Sequence, residues 1–335
     1  MQMDRLKTPW PPVLTMLASA IGLMRLPFVR ATPLQQSLHG VKTVKTIKPD
    51  FQVLDSVEKL WATWLGHAGF LIQLPGESGH RPIEDLPDID FVAISHNHYD
   101  HCDLDALKAL WDRSHGIDFL VPLGVKPTLE SVGIPSDRIH DLDWWDKIEF
   151  PPTFGRKCSY VFTCTPAQHN SGRGMLDQNW SLWCSWVVQQ IPEEGPAAAS
   201  VYFAGDTGYQ TAVGPCPAFK EIGERLGPFD LAMVPIWSGA SLTFLGKMGY
   251  RLSDDTHLVT LHATPEDAVR LAADVRARHT LAMHFATFAG SDDEALEPVV
   301  RLAKAQGGTA DWRNEGGFGA IDVGESVALD CVPAA

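Results

Sequence analysis

The chain has 335 residues, a formal net charge of −14 and 45% hydrophobic residues. That is enough apolar material for one large domain or two medium ones and excludes wholesale disorder, while 28 Gly and 24 Pro without a repeating period exclude collagen-like and solenoid chains. The acidic balance argues against a nucleic-acid partner, which needs a basic face, and six Cys with no CxxC pair point to free thiols in a reducing compartment. An intracellular location follows, cytoplasmic or peripheral on membranes.

Residues 1–60 carry several Pro and few strand signals and read as an N-terminal arm. Within it, Val13–Met24 (VLTMLASAIGLM) is apolar and flanked by Arg5, Lys7 and Arg25. Three readings stay open: a helix packed on the body, an amphipathic helix on a membrane surface, or the core of a signal peptide. From 61 to 335 the texture is that of one α/β domain. Trp61–Leu65 and Gly69–Leu74 read as a hairpin around Gly66-His67-Ala68. Asp90–Ser95 reads as a buried strand, and Asp103–Arg113 as a helix capped by Asp103. Phe119–Pro122, Tyr160–Thr165, Ser181–Gln190, Ser200–Ala204 and Asp230–Pro235 read as strands. Thr264-Pro265-Glu266-Asp267 is a helix start: a Thr cap, Pro in the first turn and an acid three residues on. Thr280–His284 reads as a strand and Asp293–Ala305 as a closing helix. Strands and helices alternate throughout, hence a mixed α/β class.

The densest chemistry follows the strand at 90–95. Ser95-His96-Asn97-His98-Tyr99-Asp100-His101 offers four candidate ligands, His96, His98, Asp100 and His101. In extended backbone His96 and His98 project the same way. Imidazole with carboxylate suits zinc, and also iron or manganese. One ion cannot use all four ligands and keep a position open for reaction, whereas two adjacent ions can. Further donors stand at other strand ends: His169 after 160–165, Asp206 after 200–204, and His284 closing 280–283.

HxHxDH at 96–101, with His169, Asp206 in FAGDTGY and His284, resembles the metallo-β-lactamase superfamily. The strings TWLGHA (63–68), ISHNHYDH (94–101), DLDWWD (141–146), YFAGDTGY (202–209), GPFDLAMVPI (227–236), TPEDAV (264–269) and MHFATF (283–288) are similar to those of its N-acylphosphatidylethanolamine-hydrolysing phospholipase D branch. The resemblance implies an αββα sandwich, with two mixed sheets face to face and helices on the outer faces. It implies two Zn²⁺ per chain, the first on His96, His98 and His169, the second on Asp100, His101 and His284, with Asp206 bridging. It also implies a hydroxide between the metals as the nucleophile that attacks phosphorus, releasing N-acylethanolamine and phosphatidic acid. Asp100, Asp206 and His262 are then the catalytic candidates. His262 is expected at the phosphoryl or leaving group, with a structural role as the alternative, and His67 is expected behind a ligand. An amide or lactone hydrolase would use the same ligands, and a degenerate lipid-binding member remains a further reading. The expected partners are a phospholipid or other hydrolysable small molecule and a peripheral membrane surface; oligomeric state is open, a homodimer included. Two segments depart from the family pattern: 75–85 is short, and 237–260 is long and carries Leu242, Phe244, Leu245, Met248 and Tyr250 as a candidate apolar cover.

Overall fold

The computed structural model describes residues 28–30, 43–51, 58–76, 86–152, 158–193, 198–237, 250–252, 258–289 and 292–331. The Val13–Met24 segment, the shortened loop over 77–85 and most of 238–257 lie outside the described residues.

In chain order the first strands are β1 (Phe28–Arg30), β2 (Leu60–Gly66), β3 (Gly69–Gln73), β4 (Phe91–Ala93), β5 (Asp118–Pro122) and β6 (Ile139–Leu142). Next come β7 (Lys147–Phe150), β8 (Cys158–Thr165), β9 (Ser185–Pro192), β10 (Ala199–Phe203), β11 (Gln210–Thr211) and β12 (Gly214–Pro215). The last are β13 (Leu231–Pro235), β14 (Tyr250–Leu252), β15 (His279–Met283), β16 (Gly317–Gly319) and β17 (Ser326–Leu329). One sheet has seven strands in the order β16-β15-β13-β10-β9-β8-β7. Opposite it, β17-β2-β3 and β4-β5-β6 form two three-stranded sheets.

Side-chain alternation explains the layering. In β5, Phe119 and Val121 join Leu107, Ile117 and Leu129 under the helix Leu104–Arg113, while Leu120 between them joins Tyr160, Phe162 and Trp186 of the large sheet. Period two thus gives one strand a helix-facing side and a sheet-facing side. At the other end, Leu60, Ala62 and Trp64 of β2 pack with Val201, Leu231 and Leu281, and Phe219 and Leu271 of the helices Pro217–Leu226 and Pro265–Asp274 join the same cluster. The arrangement is the expected αββα sandwich.

Both expected caps form. The Asp103 carboxylate accepts from Asp105 N and Ala106 N at 3.0 and 3.1 Å, and Thr264 Oγ1 accepts from Asp267 N at 3.1 Å. Each satisfies donors that a helix start leaves orphaned.

Other expectations are corrected. The strand expected at Asp90–Ser95 contracts to Phe91–Ala93 and is half-buried, because among the described residues it lies at the edge of its sheet and pairs only with β5. Residues 181–184 are not strand. Leu182 N donates to Leu123 O and Cys184 N to Ser95 O, so these amides tie two loops together before the β8 ladder begins at Ser185. The arm is partly sheet: β1 pairs antiparallel with β14, and Thr46 bridges Val323. The helix Pro217–Leu226 had its own signals, Pro217 in the first turn and Gly227 after the last. Among the described residues no helix is long and apolar enough to cross a membrane.

Candidate metal centre

Every donor of the site is delivered by a strand end or a turn. The segment 94–101 leaves β4, and its Ile94 N is still tied to Leu120 O at 2.9 Å. His169 follows β8, Asp206 follows β10, and His284 follows β15 at φ +57°, a left-handed conformation that turns its ring away from the strand direction. Gly205 sits at φ +61°, where a Cβ would come within 2.6 Å of the Ser95 side chain. Only glycine lets Asp206 approach the histidine loop this closely. Gly208 plays the same part for the loop carrying His262, since a Cβ there would meet the Thr260 carbonyl carbon at 2.4 Å.

The expected ligands converge. His96 Nε2 lies 2.9 Å from His98 Nδ1, and His169 Nε2 lies 3.4 Å from that same atom. On the other side, Asp100 Oδ2 is 3.4 Å from His101 Nε2 and 3.9 Å from His284 Nε2. Between them, Asp206 Oδ2 is 3.2 Å from His101 Nε2, 3.0 Å from His284 Nε2 and 3.6 Å from His169 Nε2. His262 Nδ1 stands 3.9 Å from the same oxygen. His67 joins the second group, with Nε2 2.9 Å from Asp100 Oδ2.

These residues fit a metal centre by their proton arrangement. His169 Nδ1 can only donate to the Leu261 carbonyl, 3.0 Å away, so its Nε2 presents a lone pair to the cluster. His96 Nδ1 is likewise engaged by Ser95 Oγ at 3.0 Å, which leaves its Nε2 facing inward. His101 Nε2, His284 Nε2 and Asp206 Oδ1 are buried and make no hydrogen bond among the described residues. Such atoms are costly unless an ion satisfies them.

Electrostatics agree. Burial pushes His96, His98 and His169 below the usual imidazole pKa, which keeps them neutral, as ligands must be. Burial works against ionisation of Asp206 too, but the His101 and His284 imidazoles overturn it and hold the carboxyl well below its usual range. His101, despite burial, is raised to about 10 by Asp206 and Asp100. Two carboxylates facing one imidazole thus create a place that calls for positive charge. Burial lowers His262 to about 4, a neutral imidazole at physiological pH.

Histidines away from the cluster have other settings: His115 is exposed, His140 lies 2.9 Å from Asp118 Oδ1, and His279 Nδ1 donates to Trp312 O at 2.8 Å. Three contributors had no sequence signal: Ser95 and the Leu261 carbonyl, which orient ligands, and Trp237, whose ring centre is 6.0 Å from that of His262 and 5.8 Å from that of His284. Phe285, Ala286 and Phe288 join Trp237, His67 and His284 around a small recess that opens to solvent.

Comparison with known proteins agrees with this geometry. Residues 62–285 match the family described as beta-lactamase superfamily domain. The chain is 35% identical over 295 residues to N-acyl-phosphatidylethanolamine-hydrolyzing phospholipase D 1 of Caenorhabditis elegans, covering 79% of this chain and 75% of that protein. It is 31% identical to the mitochondrial N-acyl-phosphatidylethanolamine-hydrolyzing phospholipase D of Saccharomyces cerevisiae, covering 74% of this chain but 44% of the yeast protein. Among solved structures, a metallo hydrolase from Ignicoccus hospitalis superposes with a TM-score of 0.51 at 19% identity, covering 81% of this chain and 98% of that one.

Proposed function

The chain belongs to the beta-lactamase superfamily and is a metal-dependent hydrolase, and we propose that it is a dinuclear phosphodiesterase of phospholipase D type. Its substrates are N-acylphosphatidylethanolamine-like phospholipids, and its products are N-acylethanolamine and phosphatidic acid. The observation that carries this reading is the meeting of two donor sets at one buried carboxylate. His96, His98 and His169 form one set, and Asp100, His101 and His284 fall in the other, with Asp206 between them. The names of the nematode and yeast relatives support the substrate class.

Imidazole and carboxylate donors suit zinc. Two such ions would supply Lewis-acid stabilisation of a phosphoryl oxygen and a water of lowered pKa at neutral pH. The protein's own groups do the rest. Asp206 holds negative charge between the two donor sets and fixes their separation. His67 holds Asp100 at the same Oδ2 that faces His101 and His284. His262 is neutral, and its buried Nδ1 makes no hydrogen bond among the described residues, which leaves it for a phosphoryl or leaving-group oxygen. Trp237, Phe285 and Phe288 give the adjoining recess an apolar wall that suits lipid.

The test is hydrolysis of N-acylphosphatidylethanolamine by zinc-loaded protein in water labelled at oxygen, alongside lactone and amide panels. Label is expected in the phosphatidic acid, with N-acylethanolamine released unlabelled. Turnover of a lactone or amide with no phospholipid cleavage would reassign the reaction to a carbonyl substrate. No turnover of any panel by metal-loaded protein would make the chain a binding member of its family.

A further inference from the structure

Beside the histidine segment lies a loop, Ser171–Trp180, that is firmly built yet exposes its apolar side chains. Gly172 N donates to Asn97 Oδ1 at 2.7 Å, and Arg173 Nη1 donates to Asn97 O and Cys102 O at 3.0 and 2.8 Å. The Arg173 guanidinium also sits 4.1 Å from the centre of the Tyr99 ring. Inside the loop, the Asp177 carboxylate accepts from Arg173 N and Gly174 N at 2.9 and 2.7 Å, and Asn179 N donates to Ser171 O at 2.8 Å. The loop is therefore fixed to the same backbone that carries the metal donors.

From this base Met175, Leu176 and Trp180 are 65%, 68% and 71% exposed. Tyr99, between the ligands His98 and Asp100, is exposed too, as is Leu123, whose carbonyl accepts from Leu182 N at 2.7 Å just after the loop ends. Five of the nine large apolar side chains exposed among the described residues gather here. Clustered exposure of this kind marks an interaction surface, whereas scattered single residues do not.

Charge selects the partner. Arg173 and Asp177 are the loop's ionic side chains, and both are engaged within the structure. Among the described residues the loop offers no free cation to an anionic surface, and a chain of net charge −14 is repelled by one. An electrically neutral bilayer carries no such penalty. Amphipathic Trp and Tyr rings beside aliphatic chains are the side chains that settle at the headgroup level of membranes. We propose that 171–180, with Tyr99 and Leu123, enters the surface of a neutral phospholipid bilayer and holds the metal centre at headgroup depth. The inference rests on the phospholipid substrate reading above.

The test is co-sedimentation of the full chain, zinc-loaded, with pure phosphatidylcholine vesicles, comparing wild type with the M175S/L176S/W180S variant. Loss of that much apolar contact is expected to weaken binding by about tenfold or more. The melting temperature and zinc content should stay at wild-type values, since the three side chains are exposed. In a second measurement, bromine-labelled lipid should quench wild-type fluorescence more than that of Trp180→Phe. Wild-type binding by the triple variant would overturn the proposal and move membrane contact to the N-terminal arm or elsewhere. Binding only to anionic vesicles would also overturn it, as would a variant altered in oligomeric state alone, which would make the patch a contact between two copies. The readout is binding without turnover. A chain that loses vesicle binding in the variant yet cleaves no N-acylphosphatidylethanolamine therefore supports the surface and overturns the substrate reading.

Discussion

His67 Nε2 and Asp100 Oδ2 lie 2.9 Å apart, and this contact joins the β2–β3 turn to the histidine segment after β4. The turn is itself held from the ligand side. His284 N and Trp64 Nε1 both donate to His67 O, at 2.9 and 3.0 Å, and His67 N donates to Thr287 Oγ1 at 3.0 Å. Asp100 is one of the more exposed groups of the site. His67 fixes it at the same Oδ2 that faces His101 and His284, and so sets where that oxygen stands in the cluster.

His67→Ala should therefore weaken the second metal site about 10–100-fold, the usual cost of removing a group that orients a ligand. Competition against a chelator of known affinity measures this, with the first site unchanged. His67→Gln, which keeps a donor, should recover part of the loss. Equal metal affinity in wild type and His67→Ala would remove His67 from the centre.

Asp206→Asn should retain the fold and abolish turnover. The amide keeps the shape but removes the charge shared by the two donor sets, and His101 and His284 lose the nearer of their two carboxylate neighbours. Circular dichroism and metal analysis separate this from unfolding. Near wild-type turnover would place the bridging charge elsewhere.

His262→Ala should lower kcat by about 10²–10⁴, the range for a positioned acid or base, with metal content unchanged. Its Nδ1 is 3.9 Å from Asp206, further than His101, His169 and His284, which crowd the same oxygen. Loss of metal along with rate would make His262 a ligand.

Gly208→Ala tests the backbone that presents His262. The added Cβ would lie 2.4 Å from the Thr260 carbonyl carbon, so the loop 258–262 must shift. Overpacking of this kind costs about 1–3 kcal/mol, read as a lower melting temperature, and the displaced His262 should lower kcat as well. An unchanged melting temperature would show that this loop yields without cost.

The sequence made the centre legible where ligands follow strands. HNHYDH is dense enough to read alone, and His169, Asp206 and His284 each close a β-rich run. What escaped was set by backbone geometry. Leu261 orients His169 through its carbonyl, so its side chain carries no trace of the role. His67 is itself singled out in the sequence, but its pairing with Asp100 is not, because the contact depends on φ +48° in the turn, a conformation that spacing does not announce. In the fold, the apolar run Ser181–Cys184 looked like the start of a strand. Burial there comes from Trp183 and Cys184 packing with the β8–β9 face while the backbone pairs with two loops. β6 and β7 are short, with alternating exposure and polar residues, and gave the pattern little to work with.

The proposed centre is seven side chains, with Asp206 in the middle, holding two cations. Elemental analysis of protein purified without chelators, referred to chain concentration, tests it directly. About two zinc or similar divalent ions per chain are expected, falling in Asp206→Asn. A ratio of zero, in protein that is folded and retains wild-type stability after metal is offered, would contradict it.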